Sequence, residues 1–92
     1  MADMTRRFAV ADDVVVRDLA GEMLLVHLGT GTYFGLDAIG SRIWQLLAEY
    51  GSPEAVLPQL LSEFDVEEKQ LRRDLDALVS QLLEKGLLAA AT

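Results

Sequence analysis

The sequence predicts an α+β domain in which a three-stranded antiparallel sheet is followed by three helices. Three observations carry that prediction. Two runs rich in β-branched and apolar residues, "DVVVRDL" (13–19) and "EMLLVHL" (22–28), flank a short Ala20–Gly21 break. A third short segment, "TYFGL" (32–36), has the threonine and aromatic composition of a strand. Beyond it, the apolar residues recur at helical spacing. Strands first and helices afterwards place the helices on one side of a small sheet.

Taken in order, residues 1–12 show no period and read as a loose arm. The first two runs form a hairpin across Ala20–Gly21, and the second is apolar on both faces, as a central strand is. The stretch "GTGTYFGLD" (29–37) then raises the question of a phosphate-binding loop. A dinucleotide fingerprint would need glycine where Phe34 stands and a helix directly after the turn, and no Gly-Lys-Ser/Thr follows. The stretch is therefore read as a turn over Gly29–Gly31 that launches a third strand, Thr32–Leu36.

Asp37 is placed to N-cap the first helix. Its stripe is Ile39, Ile43, Leu46, Leu47 and Tyr50, widened by Trp44, and Gly51 ends it. Ser52 and Pro53 are a cap and an N1 proline. The second helix is expected to bury Val56, Leu57, Leu60, Leu61 and Phe64, with Pro58 kinking it or delaying its start. Asp65 and Glu68 form a capping-box-like pair ahead of the third helix, whose stripe is Leu71, Leu75, Leu78 and Leu82. Gly86 fits the C′ position, bringing Leu87 against Leu82. A single folded unit over 13–88 and a tail over 89–92 complete the organisation.

Composition narrows the function classes. With 92 residues, 51% of them apolar, the chain can build one compact core without a disulfide or metal. There is no cysteine and one histidine, His27, so a thiol nucleophile, a zinc site or a histidine-based triad lacks partners. The carboxylates fall mostly on exposed helical faces. No catalytic residue, metal or cofactor is expected, and the chain does not read as an enzyme. His27 reads as structural, and Trp44, Tyr50 and Phe64 as core.

The net charge of −7 argues against nucleic acid as a partner. Between 65 and 76 five acids (Asp65, Glu67, Glu68, Asp74, Asp76) outnumber three bases (Lys69, Arg72, Arg73), a balance that phosphates would repel. No export signal and no membrane-spanning run is present, so a cytoplasmic protein without a membrane partner is expected. Tyr33 and Phe34 are adjacent strand residues and must point to opposite faces, so one of them leaves the inner face. A large aromatic beside a free sheet edge is a candidate docking surface.

Together these elements resemble a known family. Tyr33-x-x-Leu36, Gly40-x-x-Ile43-Trp44, and the terminal pattern Phe64-Asp65-Val66, Leu71, Asp74-Leu75, Leu78, Leu82, Gly86-Leu87-Leu88 stand in the order and spacing of PqqD-like proteins. These are the RiPP recognition elements, the peptide-binding domains of ribosomal natural-product pathways. The resemblance covers about residues 13–88 and implies a winged helix-turn-helix fold that binds the leader segment of a precursor peptide. It implies a leader added as a strand along the free edge at Thr32, Tyr33, Phe34, Gly35 and Leu36 and lying against the third helix. There Arg72, Leu75, Asp76 and Val79 are the expected lining, with Asp74 and Leu78 on the alternative flank. A short free-standing chain is similar to the recognition protein of lasso-peptide pathways, which presents the leader to a leader peptidase or other maturation enzyme. Two other readings fit the same residues: a PqqD-type carrier serving a radical SAM enzyme, and a small acidic winged-helix regulator that binds protein.

Overall fold

The computed structural model describes residues 6–91. Its strands are β1 (Arg7–Val10), β2 (Val14–Leu19), β3 (Glu22–His27), β4 (Tyr33–Gly35) and β5 (Leu88–Ala91). Its helices are α1 (Ala38–Tyr50), α2 (Pro53–Glu63) and α3 (Glu68–Glu84). β2, β3 and β4 form the expected three-stranded antiparallel sheet with β3 in the centre. The α+β prediction with three helices holds.

A second, two-stranded sheet was not anticipated. β1 pairs antiparallel with β5, setting Arg7 opposite Ala91 and Val10 opposite Leu88. This corrects two expectations, because Arg7–Val10 falls in the supposed loose arm and Ala89–Ala91 in the supposed tail. Residues 1–5 of that arm, and Thr92, lie outside the described residues. The pairing is anchored by burial of Phe8 and Leu88, each 3% exposed, and by the Phe8 amide donating to the Gly51 carbonyl at 2.6 Å. Neither segment signals this locally, since alanine is a poor strand former and the partners lie at opposite ends of the chain.

The local chemistry of the main sheet follows the sequence closely. Ala20 and Gly21 both take positive φ, 58° and 89°, which suits a two-residue turn between right-twisted strands. The Asp18 carboxylate accepts from the Gly21 amide at 2.8 Å. Asp37 caps α1 by accepting from the Gly40 amide at 2.7 Å, and Ser52 caps α2 with Pro53 at its first position. Pro58 lies inside α2 and does not delay its start. At the end of α3 the Leu87 amide donates to the Leu82 carbonyl and the Gly86 amide to the Leu83 carbonyl, with Gly86 at φ 73°. That is the Schellman arrangement the sequence predicted.

Three further expectations need correction. α3 begins at Glu68 with Glu67 as its cap residue, and no side chain caps it. Asp65 is not the cap, because the chain stays extended from Phe64, whose side chain packs against the core. Tyr50 is 39% exposed and is not core. Ile39 is 37% exposed, because α1 buries its stripe only from Gly40 onward. The core itself joins Leu25 of β3, Ile43, Trp44, Leu46 and Leu47 of α1, Val56 and Leu60 of α2, and Leu71, Leu75, Val79 and Leu82 of α3. On the surface, Arg42 of α1 holds Glu63 of α2 through two bonds of 2.7 and 2.8 Å. The bonds lower the Glu63 pKa and raise that of Arg42.

Candidate peptide-docking site

The site begins with the turn that launches β4. Gly31 takes φ 75° and its amide donates to the His27 carbonyl at 2.8 Å. His27 Nδ1 accepts from the amides of Gly29 and Thr30 at 3.1 and 3.3 Å. The imidazole therefore shapes the turn, as its structural reading proposed. The glycine-rich stretch is a turn leading into a strand.

Among the described residues β4 pairs with β3 on one side only, which leaves its other edge open. The Thr32 carbonyl accepts from the His27 amide and the Leu36 amide donates to the Met23 carbonyl, each at 2.8 Å. With the register Leu25↔Phe34, this directs the backbone groups of Thr32, Phe34 and Leu36 toward β3. The N–H and C=O groups of Tyr33 and Gly35 point to the open edge. Nothing lies within 4 Å of where a Gly35 Cβ would stand, so a second backbone can approach there.

Ser41 fixes this edge to α1. Its hydroxyl accepts from the Met23 amide at 2.7 Å and donates to the Leu36 carbonyl at 3.2 Å. In the pair Met23↔Leu36 one direct bond is thus replaced by a hydroxyl bridge. Ser41 is 2% exposed, so the bridge is dry.

Between β4, α1 and α3 runs a groove of about 300 Å³, lined by Phe34–Asp37, Ile39, Gly40, Ile43, Asp74 and Leu78. Its lining mixes the apolar Phe34, Leu36, Ile39, Ile43 and Leu78 with the carboxylates of Asp37 and Asp74. Phe34 faces inward, partly buried against the core, with Lys85 Nζ 5.7 Å from its ring centre. Tyr33 is on the outer face and 73% exposed, which settles which aromatic leaves the inner face.

The expected flank of α3 is not the one that lines the groove. Leu75 and Val79 have no exposed surface and belong to the core. Arg72 points to solvent and donates to Glu68 at 3.0 Å. Asp76 is half-buried and is not among the lining residues. The alternative flank, Asp74 and Leu78, forms the wall instead. The reason is rotational: the Leu71, Leu75, Val79 and Leu82 stripe faces the core and leaves the positions one residue before Leu75 and Val79 facing β4. The contribution of α1 through Ile39 was also missed. Its signal is that Ile39 sits one turn before Ile43, at the end of the stripe where the core no longer covers it.

Among the described residues no group of three or more His, Cys, Asp or Glu is arranged to hold a metal, and no helix is long and apolar enough to cross a membrane. The family described as coenzyme PQQ synthesis protein D (PqqD) matches residues 22–88. No curated protein matches the chain. Two solved structures resemble it closely. One is TbiB1 in complex with the TbiA(beta) leader peptide, 42% identical with a TM-score of 0.83, covering 91% of this chain and 98% of that one. The other is a lasso peptide synthetase B1 complexed with the leader peptide, 31% identical with a TM-score of 0.81, covering 90% of this chain and 98% of that one.

Proposed function

This chain belongs to the PqqD family, and on that premise we propose that it binds the leader segment of a ribosomally made precursor peptide by strand addition to β4. It then presents that peptide to a maturation enzyme, the leader peptidase of a lasso-peptide pathway. In this role it is a cytoplasmic binding partner and does no chemistry itself. The observation that carries the reading is the open edge of β4, where the backbone groups of Tyr33 and Gly35 face outward beside a groove lined by apolar side chains and two aspartates. An extended peptide satisfies such an edge along its length, and the groove reads its alternate side chains. The two solved relatives, both complexes with leader peptides, support the same class of ligand.

On this reading the peptide contacts Thr32–Leu36 of the edge, Ile39 of α1, and Asp74 and Leu78 of α3. The reading also takes α2 and α3 as the helix-turn-helix of a winged scaffold, with α3 serving as a groove wall. Strand addition has a signature that groove binding alone lacks. Leader amides should alternate between bonded and unbonded, so N-methylating them one at a time should give a period of two in affinity. Each inward amide lost should weaken binding by about 0.5–1.5 kcal/mol, and outward ones should be nearly silent. Such a scan of a lasso-peptide leader that binds this protein, read by titration, tests this. Sensitivity through a whole helical turn would show that the peptide does not add as a strand.

A further inference from the structure

The groove has an electrical direction. Lys85 follows Asp74 by eleven residues, close to three whole helical turns, and Lys85 keeps right-handed helical backbone. Asp74, Leu78 and Lys85 therefore share one stripe of α3, with its ends ~16 Å apart along the axis. Asp74 lies in the groove with Leu36 and Asp37, while Lys85 lies over Phe34. The two carboxylates thus line the groove toward Leu36, and Lys85, which is not itself a lining residue, stands beyond its Phe34 end.

Neither charge is neutralised by an ion pair among the described residues. Asp74 accepts only from the neutral Gln70 amide, at 2.9 Å. Asp37 faces the amino end of α1, which offsets part of its negative charge and leaves Asp74 as the less compensated carboxylate of the pair. At the other end the Leu83 and Leu82 carbonyls accept from the Gly86 and Leu87 amides, and Lys85, next to the exposed Glu84, is the charge that stands over Phe34.

We propose, resting on the strand-addition reading above, that this groove selects peptides by the order of their charges. A strand antiparallel to β4 enters at the Leu36 end and leaves at the Phe34 end. Its earlier residues meet Asp37 and Asp74, and its later ones meet Lys85. A rise of ~3.4 Å per residue makes the ~16 Å interval about five residues, and side chains on one face recur every second position. The preferred ligand carries a basic side chain about four or six residues before an acidic one, so that both lie on one face, with apolar anchors between them.

Three synthetic peptides with capped ends and identical alternating leucine anchors test this. One has lysine before glutamate at that interval, one has the reverse order, and one has glutamine at both places. Affinities are measured by titration at about 20 mM and about 0.5 M salt, where screening differs several-fold in range. The lysine-first peptide should bind about three- to tenfold more tightly than the reverse at low salt, and the two should converge at high salt. The double variant D74K/K85E should invert the order, and the single variants D74N and K85Q should each shrink it, with unfolding curves confirming that all remain folded. Equal affinities for all three peptides, each still weakened by Phe34→Ala, would overturn the charge order and leave the docking site intact. Binding of none of them would overturn both.

Discussion

At the scale of single residues, the site depends on side chains that look ordinary in the sequence. Ser41 is one of them. Its hydroxyl bridges the Met23 amide and the Leu36 carbonyl, and no other described residue bonds either group, so Ser41→Ala should strand both. The expected loss is about 1–3 kcal/mol in denaturant unfolding, with unchanged affinity only if β4 stays in place without the bridge. Phe34 and Tyr33 should separate cleanly. Phe34→Ala removes a groove wall and should weaken leader binding by about 1.5–3 kcal/mol. Tyr33→Ala alters a side chain that is 73% exposed, and should shift unfolding by no more than about 0.5 kcal/mol. Equal binding by wild type and Phe34→Ala in a titration would remove the groove from the mechanism. The sequence revealed that these two aromatics must diverge, because alternation is intrinsic to a strand. Which one turns inward depends on register with β3, which pairs Leu25 with Phe34, and local pattern does not encode that.

At the scale of elements, the boundaries that could be read were those set by one residue's own chemistry. Asp37, Gly51, Ser52–Pro53 and Gly86 each mark an end where it was expected. Gly86 is the most testable. Its φ of 73° is strained for any side chain, although nothing nearer than 3.8 Å would obstruct a Cβ. Gly86→Ala should therefore lose about 1–2 kcal/mol through backbone conformation alone, measured by thermal or denaturant unfolding. A neutral substitution would mean that the turn relaxes into another form. Asp65 failed as a cap signal because the packing of Phe64 holds the chain extended past it. The face of α3 was misjudged for a related reason. The Leu71–Leu75–Leu78–Leu82 stripe could be rotated either way about Leu75, and the structure turns Val79 into the core and Leu78 toward the groove.

At the scale of the whole molecule, the class of fold was legible because it depends on element order and composition, which are spread along the chain. The β1–β5 sheet was not, because it joins two four-residue segments that carry meaning only in each other's company. Charge is likewise a property of the whole, and it bears on the partner. With a net charge of −7 and an acid-rich α3, the protein should give no mobility shift with duplex DNA near physiological salt. A specific shift that weakened by ~10³-fold or more over a fourfold rise in salt would contradict the peptide-only reading. The pairing of Arg7 with Ala91 has a mechanical consequence. Residues 7 and 91 sit side by side, so tension applied through both of them loads the β1–β5 ladder one rung at a time, from Arg7–Ala91 toward Val10–Leu88. Such a ladder peels open like a zipper. The β2–β3–β4 sheet is not part of that ladder, so tension between residues 7 and 91 strains the β1–β5 pairing before it reaches β4.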